Sequence, residues 1–457
     1  MCTSFIKISA FIVGWMLVSW KPVIAQDKPG QLDNYIAFAF AQNQGLKQQQ
    51  FDLERSMFAL KEAKAMYMPT VSMLGSYTKA SGGRTIDVPV GDLVNPIYEA
   101  LNQLTSSSKY PQLPNQSFLL NPDNFYDVKV RTSVSLINEE IRYNKLIKKQ
   151  LISSQQASVN VYKRALVKDI KTAYYHYYQA LRGVEAYNSA LKLIAENIRV
   201  NTSFLRNGVK NRTSVLRAQT EQQKIEAALV SAQRNVENAR AYFNFLLNRP
   251  LKESILVETL TEEIAEPDIL INISGREELR QLEAVKEINT LDFKLQRSSL
   301  IPKLSTFLDL GSQGDNFKVN DKTRYYLWGL NMQWDIFTGG KSKFRAAQAQ
   351  ANLQATHARI DEAEQSFKLQ VMQSHNNYNS AKAACKSAIA GLSLANQYYN
   401  DQLKAYQAGQ LLYLELIDAQ DQLTNARLRM ADTQADLQIA LTAIERDQAT
   451  YPIQNPQ

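Results

Sequence analysis

The chain repeats itself, and the repeat limits what it can fold into. "MPTVSMLGSY" (Met68 to Tyr77) and "IPKLSTFLDL" (Ile301 to Leu310) each place a proline at the start of a short strand pattern. "SLINEE" (Ser135 to Glu140) aligns with "DIFTGG" (Asp335 to Gly340), and "RNGVKNRTSVLRAQ" (Arg206 to Gln219) with "QAGQLLYLELIDAQ" (Gln407 to Gln420). Glu139 and Gly208 are 69 positions apart, and Gly339 and Gly409 are 70 apart. Two helical segments of matched length, each ending in a glycine turn and a returning helix, predict two hairpins built to one plan.

The outgoing segments read as coiled-coil arms. Ile170, Tyr177, Val184, Leu191, Ile198 and Leu205 follow a seven-residue step, with Leu166, Ala173, Ala180, Tyr187 and Ile194 at the second core position. A sustained heptad seam packs a helix against partners along its length. At 1.5 Å per residue each arm would be roughly 100 Å long. Return arms are expected near Arg212 to Asn248 and Leu411 to Gln448, and shorter helices near Leu32 to Tyr67 and Glu277 to Leu300.

Four segments alternate with period two. In "FYDVKVRTSVSLI", Tyr126, Val128, Val130, Thr132, Val134 and Leu136 share a face opposite Asp127, Lys129, Arg131, Ser133 and Ser135. In "RYYLWGLNMQWDIF", Tyr326, Trp328, Leu330, Met332, Trp334 and Ile336 oppose Leu327, Gly329, Asn331, Gln333 and Asp335. Val71, Met73 and Tyr77, and Leu304, Leu308 and Leu310, supply two more apolar faces. Apolar-out, polar-in alternation with aromatic ends is the pattern of a transmembrane β-barrel, although a half-buried soluble sheet alternates similarly. Four strands cannot close a barrel, and open edges are not tolerated in lipid. Three copies would supply twelve strands, so the strand count itself predicts a homo-oligomer. A long loop, about Lys79 to Asn124, carries five of the thirteen prolines, with a possible short helix in "VNPIYEALNQL"; the second loop, about Ser312 to Lys322, is short.

Lys7, an apolar stretch from Ile8 to Trp20 and the small-residue site Val23-Ile24-Ala25 read as an export signal over residues 1–25. Cys2 precedes that stretch, which leaves Cys385 as the only cysteine of the exported chain, a small helix residue. No later apolar run reaches the 18 residues of a helical span. The charge of +8 falls to about +6 without Lys7 and Lys21; spread over such a length it argues against a nucleic-acid partner. No phosphate-binding glycine loop, metal-ligand spacing or nucleophile elbow is present, so the sequence predicts neither an enzyme nor a cofactor. His176, His357 and His375 are far apart and read as helix-surface residues.

Together these features resemble the TolC-like outer-membrane efflux factors over nearly all of the exported length. The most specific stretch is "AYQAGQLLYLELIDAQDQLTNAR", which looks like the family's second hairpin tip; "DIFTGGKSKFRAAQAQA", with Gly339 and Gly340, is similar to its strand-to-helix junction. "INEE" stands in the first junction where a Pro or Gly pair is expected. The resemblance implies a mixed α/β membrane protein: a homotrimer with a twelve-stranded β-barrel in outer-membrane lipid and an α-barrel of long coiled-coil-like helices crossing the periplasm. It implies first and second repeats over 26–248 and 275–448, joined by a linker over 249–274 and followed by a tail over 449–457. The implied partners are a periplasmic adaptor and an inner-membrane transporter, and the implied function is a passive exit duct gated at its periplasmic end.

The resemblance also assigns residues. Asn207, Gly208 and Val209 and Ala408, Gly409 and Gln410 would form the adaptor-docking tips. Glu415 and Asp418, three apart on one helix face, would line the gate; six carboxylates from three chains would favour cations. Ser214 and Arg217 stand at the matching places of the first repeat, so only one tip in two would be acidic. Tyr406 matches a gate aromatic. The basic latch that some members carry after the second tip glycine is replaced by Leu411. The alternatives are a type I protein-secretion duct of the same fold, the adaptor itself, and a soluble periplasmic scaffold. An adaptor would lack the four strands and carry one hairpin, and a scaffold would bury its strand faces in a core.

Overall fold

The computed structural model describes residues 30–121, 123–258 and 272–453. The export signal with Cys2, half of the expected linker (259–271) and the end of the tail lie outside the described residues.

The N-terminal helical stretch is two helices, α1 (Gln31–Gln42) and α2 (Gln44–Ala65), where the sequence suggested one. Asn43 breaks it. Its backbone is extended, its side chain accepts from Leu46 N at 2.9 Å, and its amide donates to Leu246 O at 2.8 Å. The break is a buried N-cap tied to a neighbouring helix, which no local pattern announces.

Next come β1 (Thr70–Thr78), β2 (Thr85–Val88), α3 (Val90–Leu104), β3 (Gln116–Leu119) and β4 (Phe125–Ile137). The long loop therefore contains a hairpin of β2 and β3 capped by a helix. The first long hairpin follows: α4 (Glu139–Arg206, 68 residues) and α5 (Arg212–Leu246, 35 residues). The second half runs α6 (Glu277–Arg297), a 3-10 turn (Ser298–Leu300), β5 (Lys303–Asp315), β6 (Arg324–Gln333), α7 (Lys341–Gln407, 67 residues) and α8 (Tyr413–Asp447, 35 residues). The last strand stops at Gln333, short of the expected 337. No helix among the described residues is long and apolar enough to cross a membrane.

The two strand-to-helix junctions use different chemistry. Asn138 caps α4 by accepting from Glu140 N and Ile141 N, while Gly339 and Gly340 enter α7 at φ 62° and 83°. Both glycines sit in the left-handed region, which is cheap only for glycine.

β1, β4, β5 and β6 form one antiparallel sheet in that order. Register sorts the side chains into two faces. Met73, Val130, Leu310 and Tyr326 lie in one row across all four strands. On that face Met73, Tyr326, Trp328, Leu330 and Met332 are each more than half exposed. The other face carries a polar ladder. Arg131 holds Asp309 through two bonds of 2.7 Å, Lys129 pairs with Asp127 at 2.9 Å, and Tyr325 donates to Asp127 at 2.8 Å. An apolar face bare to its surroundings, with paired charges behind it, inverts the order of a soluble sheet. Among the described residues, no strand pairs with the outer edge of β1 or of β6.

The helices pack α2 on α4, α4 on α6 and α6 on α7, while α4 with α5 and α7 with α8 form the hairpins. One core gathers Ile36, Leu166, Ile170, Tyr174 and Phe243 near the level of α1, and a second lies near the hairpin ends. The heptad seam of α4 is buried at Leu166, Ile170, Ala173 and Tyr177. Further on, the buried stripe shifts to Ala186, Ala190, Ile194, Asn197 and Asn201, and Leu205 is exposed. The shift accompanies packing of α4 on α8 as well as α5. Cys385 is buried on α7.

Candidate functional site: the paired hairpin tips

The two hairpin tips turn by the same device. At the first, Gly208 has φ 68°, Gly208 N donates to Leu205 O and Val209 N to Phe204 O. At the second, Gly409 has φ 75°, Gly409 N donates to Tyr406 O and Gln410 N to Ala405 O. This six-to-one bond with a left-handed residue is the Schellman ending of a helix. No atom lies within 4 Å of a Cβ built on either glycine, so backbone conformation and not space demands glycine there. Asn207, Val209, Ala408 and Gln410 are exposed around the turns.

Behind the turns the hairpins are held together by a buried polar seam. Asn197 on α4 donates to Gln420 on α8 at 2.6 Å, and Asn201 donates to Asn197 O at 2.8 Å. The Tyr406 hydroxyl on α7 donates to Asn201. Phe204 and Tyr413 pack against the Tyr406 ring at centroid distances of 5.8 and 5.4 Å. Burial pushes the Tyr406 phenol up to about 12, against the opposing pull of its bonds to Ser214 and Asn201. The Tyr413 hydroxyl is buried with no hydrogen-bond partner among the described residues.

The side chain of Tyr406, the expected gate aromatic, is 0% exposed within the single chain and lies between its two hairpins. Its aromatic character serves the joint.

The residue that the sequence reading passed over is Lys210. It stands two positions after Gly208, the repeat-mate of Leu411. Its ammonium lies 3.5 Å from the centroid of the Tyr406 ring and 5.4 Å from that of Phe204, and it donates to Leu411 O at 3.4 Å. Burial pushes its pKa down. A basic side chain therefore does bridge the tips, reaching from the first to the second. The lysine is visible in the repeat alignment, but only the packing of the two hairpins shows that it reaches across.

Glu415 and Asp418 are both exposed on α8. Glu415 lies in the first turn, where the helix dipole favours an acid whatever its further role. Asp418 accepts from Gln422 at 2.7 Å. One turn on, Asp421 is partly buried; its pKa is raised by burial first and then by Glu221, with Lys224 opposing. Lys224 is itself bridged to Glu221 at 2.9 Å. The acidic face of the second tip thus continues inward, and Asp421 was not singled out from sequence.

A four-stranded sheet with a bare apolar face, continuous with two long helical hairpins, is the arrangement also found in solved outer-membrane channels. The comparisons agree. OprN, an outer-membrane channel, superposes with TM-score 0.72 at 17% identity over 92% of this chain and 89% of that one. CusC gives 0.75 at 13% identity, covering 92% of each chain. VceC, an outer membrane protein of Vibrio cholerae, gives 0.73 at 14% over 92% of this chain and 96% of its own. No curated protein matches the sequence. Residues 273–446 match the family described as outer membrane efflux protein. Residues 273–446 thus resemble an outer membrane efflux protein domain, and over 92% of the chain the fold is that of OprN and CusC, both described as channels.

Proposed function

We propose that three copies join β6 of one chain to β1 of the next, closing a twelve-stranded barrel in outer-membrane lipid above a periplasmic helical tube. The trimer is the passive exit duct of a tripartite efflux system. Its periplasmic end is gated by the paired tips, where Glu415 and Asp418 form an acidic ring. A periplasmic adaptor docks on the residues around Gly208 and Gly409, beside the exposed side chains of Val209 and Leu412, and an inner-membrane transporter supplies the energy.

The observation that carries this reading is the sheet. Its apolar face is bare and both edges are open, which is stable only if lipid covers the face and other copies cover the edges. Single-channel recording of the purified protein in a planar bilayer tests it. A small cation-preferring conductance from a trimeric species is expected; a protein that neither inserts nor conducts would return the strands to a soluble core.

A further inference from the structure

The basic residues are scattered in sequence, but the fold gathers three of them. Lys64 on α2 and Lys145 and Lys149 on α4 line one pocket of about 430 Å³ whose remaining walls are Leu60, Tyr67 and Leu146. The Lys145 ammonium lies 5.5 Å from the centroid of the Tyr67 ring. None of the three lysines forms an ion pair among the described residues, and no acidic side chain lines the pocket.

Its position follows from the chain. Tyr67 is three residues before β1 begins, and Lys145 is six residues into α4, about 9 Å of helix from the end of the sheet. Its direction follows from Glu140, which bonds Lys303 at 2.6 Å; Lys303 shares the polar face of the sheet with Asp309. Lys145 and Lys149 are five and nine residues beyond Glu140, roughly 140° and 180° round the helix. They therefore point to the side of the bare apolar face. Side chains on a helix lean toward its N-terminus, which on α4 is toward the sheet. Three unpaired ammonium groups, apolar walls and an aromatic ring at the edge of a lipid-covered band are the makings of an anionic headgroup site.

On the reading of the sheet as membrane-embedded, we infer that this pocket binds the phosphate of an anionic glycerophospholipid in the periplasmic leaflet of the outer membrane. Bound lipid would clamp α2 to α4 directly below the barrel.

The test uses the full chain in vesicles of phosphatidylcholine with phosphatidylglycerol, followed by native mass spectrometry of the lipid retained. Wild-type protein is expected to retain phosphatidylglycerol over phosphatidylcholine. The Lys64→Gln/Lys145→Gln/Lys149→Gln variant should lose on the order of a hundredfold of that preference. A charge-matched control, Lys192→Gln/Lys368→Gln/Lys404→Gln, should keep it; these exposed lysines lie elsewhere on the arms. Equal retention by wild type and pocket variant, or equal loss in both variants, overturns the site. Displacement of the lipid by soluble glycerol phosphate at equal concentration reassigns it to free anions and overturns the lipid assignment. Protein that inserts and conducts without lipid preference sinks the pocket alone; protein that does not insert sinks the membrane reading and the pocket with it.

Discussion

The ammonium of Lys210, on the first hairpin tip, lies 3.5 Å from the centre of the Tyr406 ring on the second. Phe204 flanks the same contact and Leu411 O accepts from the same nitrogen, so one side chain ties the two turns together. Replacing Lys210 with Gln should weaken the joint by on the order of 1 kcal/mol, the scale of a partly desolvated cation–π contact. Faster amide exchange at 200–215 and 400–415 and a larger open conductance are expected, with Lys210→Arg close to wild type. Unchanged exchange in the Gln variant would show that the polar seam alone holds the tips.

Tyr406 gives the joint a pH limit. Its phenol is pushed up to about 12 by burial, from an unfolded value near 10. An acid whose folded pKa is the higher keeps its proton longer in the folded state. Its contribution to stability is therefore whole below pH 10 and is lost as pH rises from about 10 to 12. Absorbance titration of wild type against Tyr406→Phe should show the missing phenol ionising near 12. A difference signal centred near 10 would place the ring in water.

Gly208 and Gly409 occupy the same left-handed position, which costs a side-chain-bearing residue roughly 1–2 kcal/mol. Gly409→Val should distort the second tip and weaken adaptor capture while trimers persist on size-exclusion chromatography; Gly208→Val should do the same at the first. Normal adaptor capture by both variants would remove the tips from docking.

The acidic face has a test of its own. Changing both Glu415 and Asp418 to Ala should raise the open conductance or reduce cation preference, as read from reversal potentials in a salt gradient. An identical current–voltage curve would leave Glu415 as an ordinary helix N-terminal charge.

Asp421 has the same sign as Tyr406, at acid pH. Its folded pKa is raised, so its ionised form is disfavoured at neutral pH, and stability falls as pH rises from the unfolded value near 4 through the folded one. Asp421→Asn should raise the melting temperature at pH 7 and have little effect at pH 3. A lower melting temperature at pH 7 would mean that pairing with Lys224 outweighs the burial.

Much of this was legible because two periods run long in the sequence. The alternation in Phe125–Ile137 and Arg324–Gln333 identified the apolar face, since a strand puts every second side chain on the same side. The glycine turns were legible because few other residues take a left-handed backbone cheaply. What stayed hidden depends on distant partners. Asn43 breaks a helix through a bond to Leu246, 203 residues away. Tyr406 turned out to be buried because Asn201 and Lys210 from the other hairpin enclose it. The hairpin of β2 and β3 consists of two four-residue strands, too short for alternation to register.

The unpaired edges of β1 and β6 reach beyond architecture. On the proposed trimer, a lone chain entering lipid would carry two rows of unbonded peptide groups with it, so insertion and self-association would be one event. The rate of membrane entry should then rise more steeply than in proportion to chain concentration, and melting temperature should depend on the amount of protein present. For such a molecule, dilution is itself a denaturant.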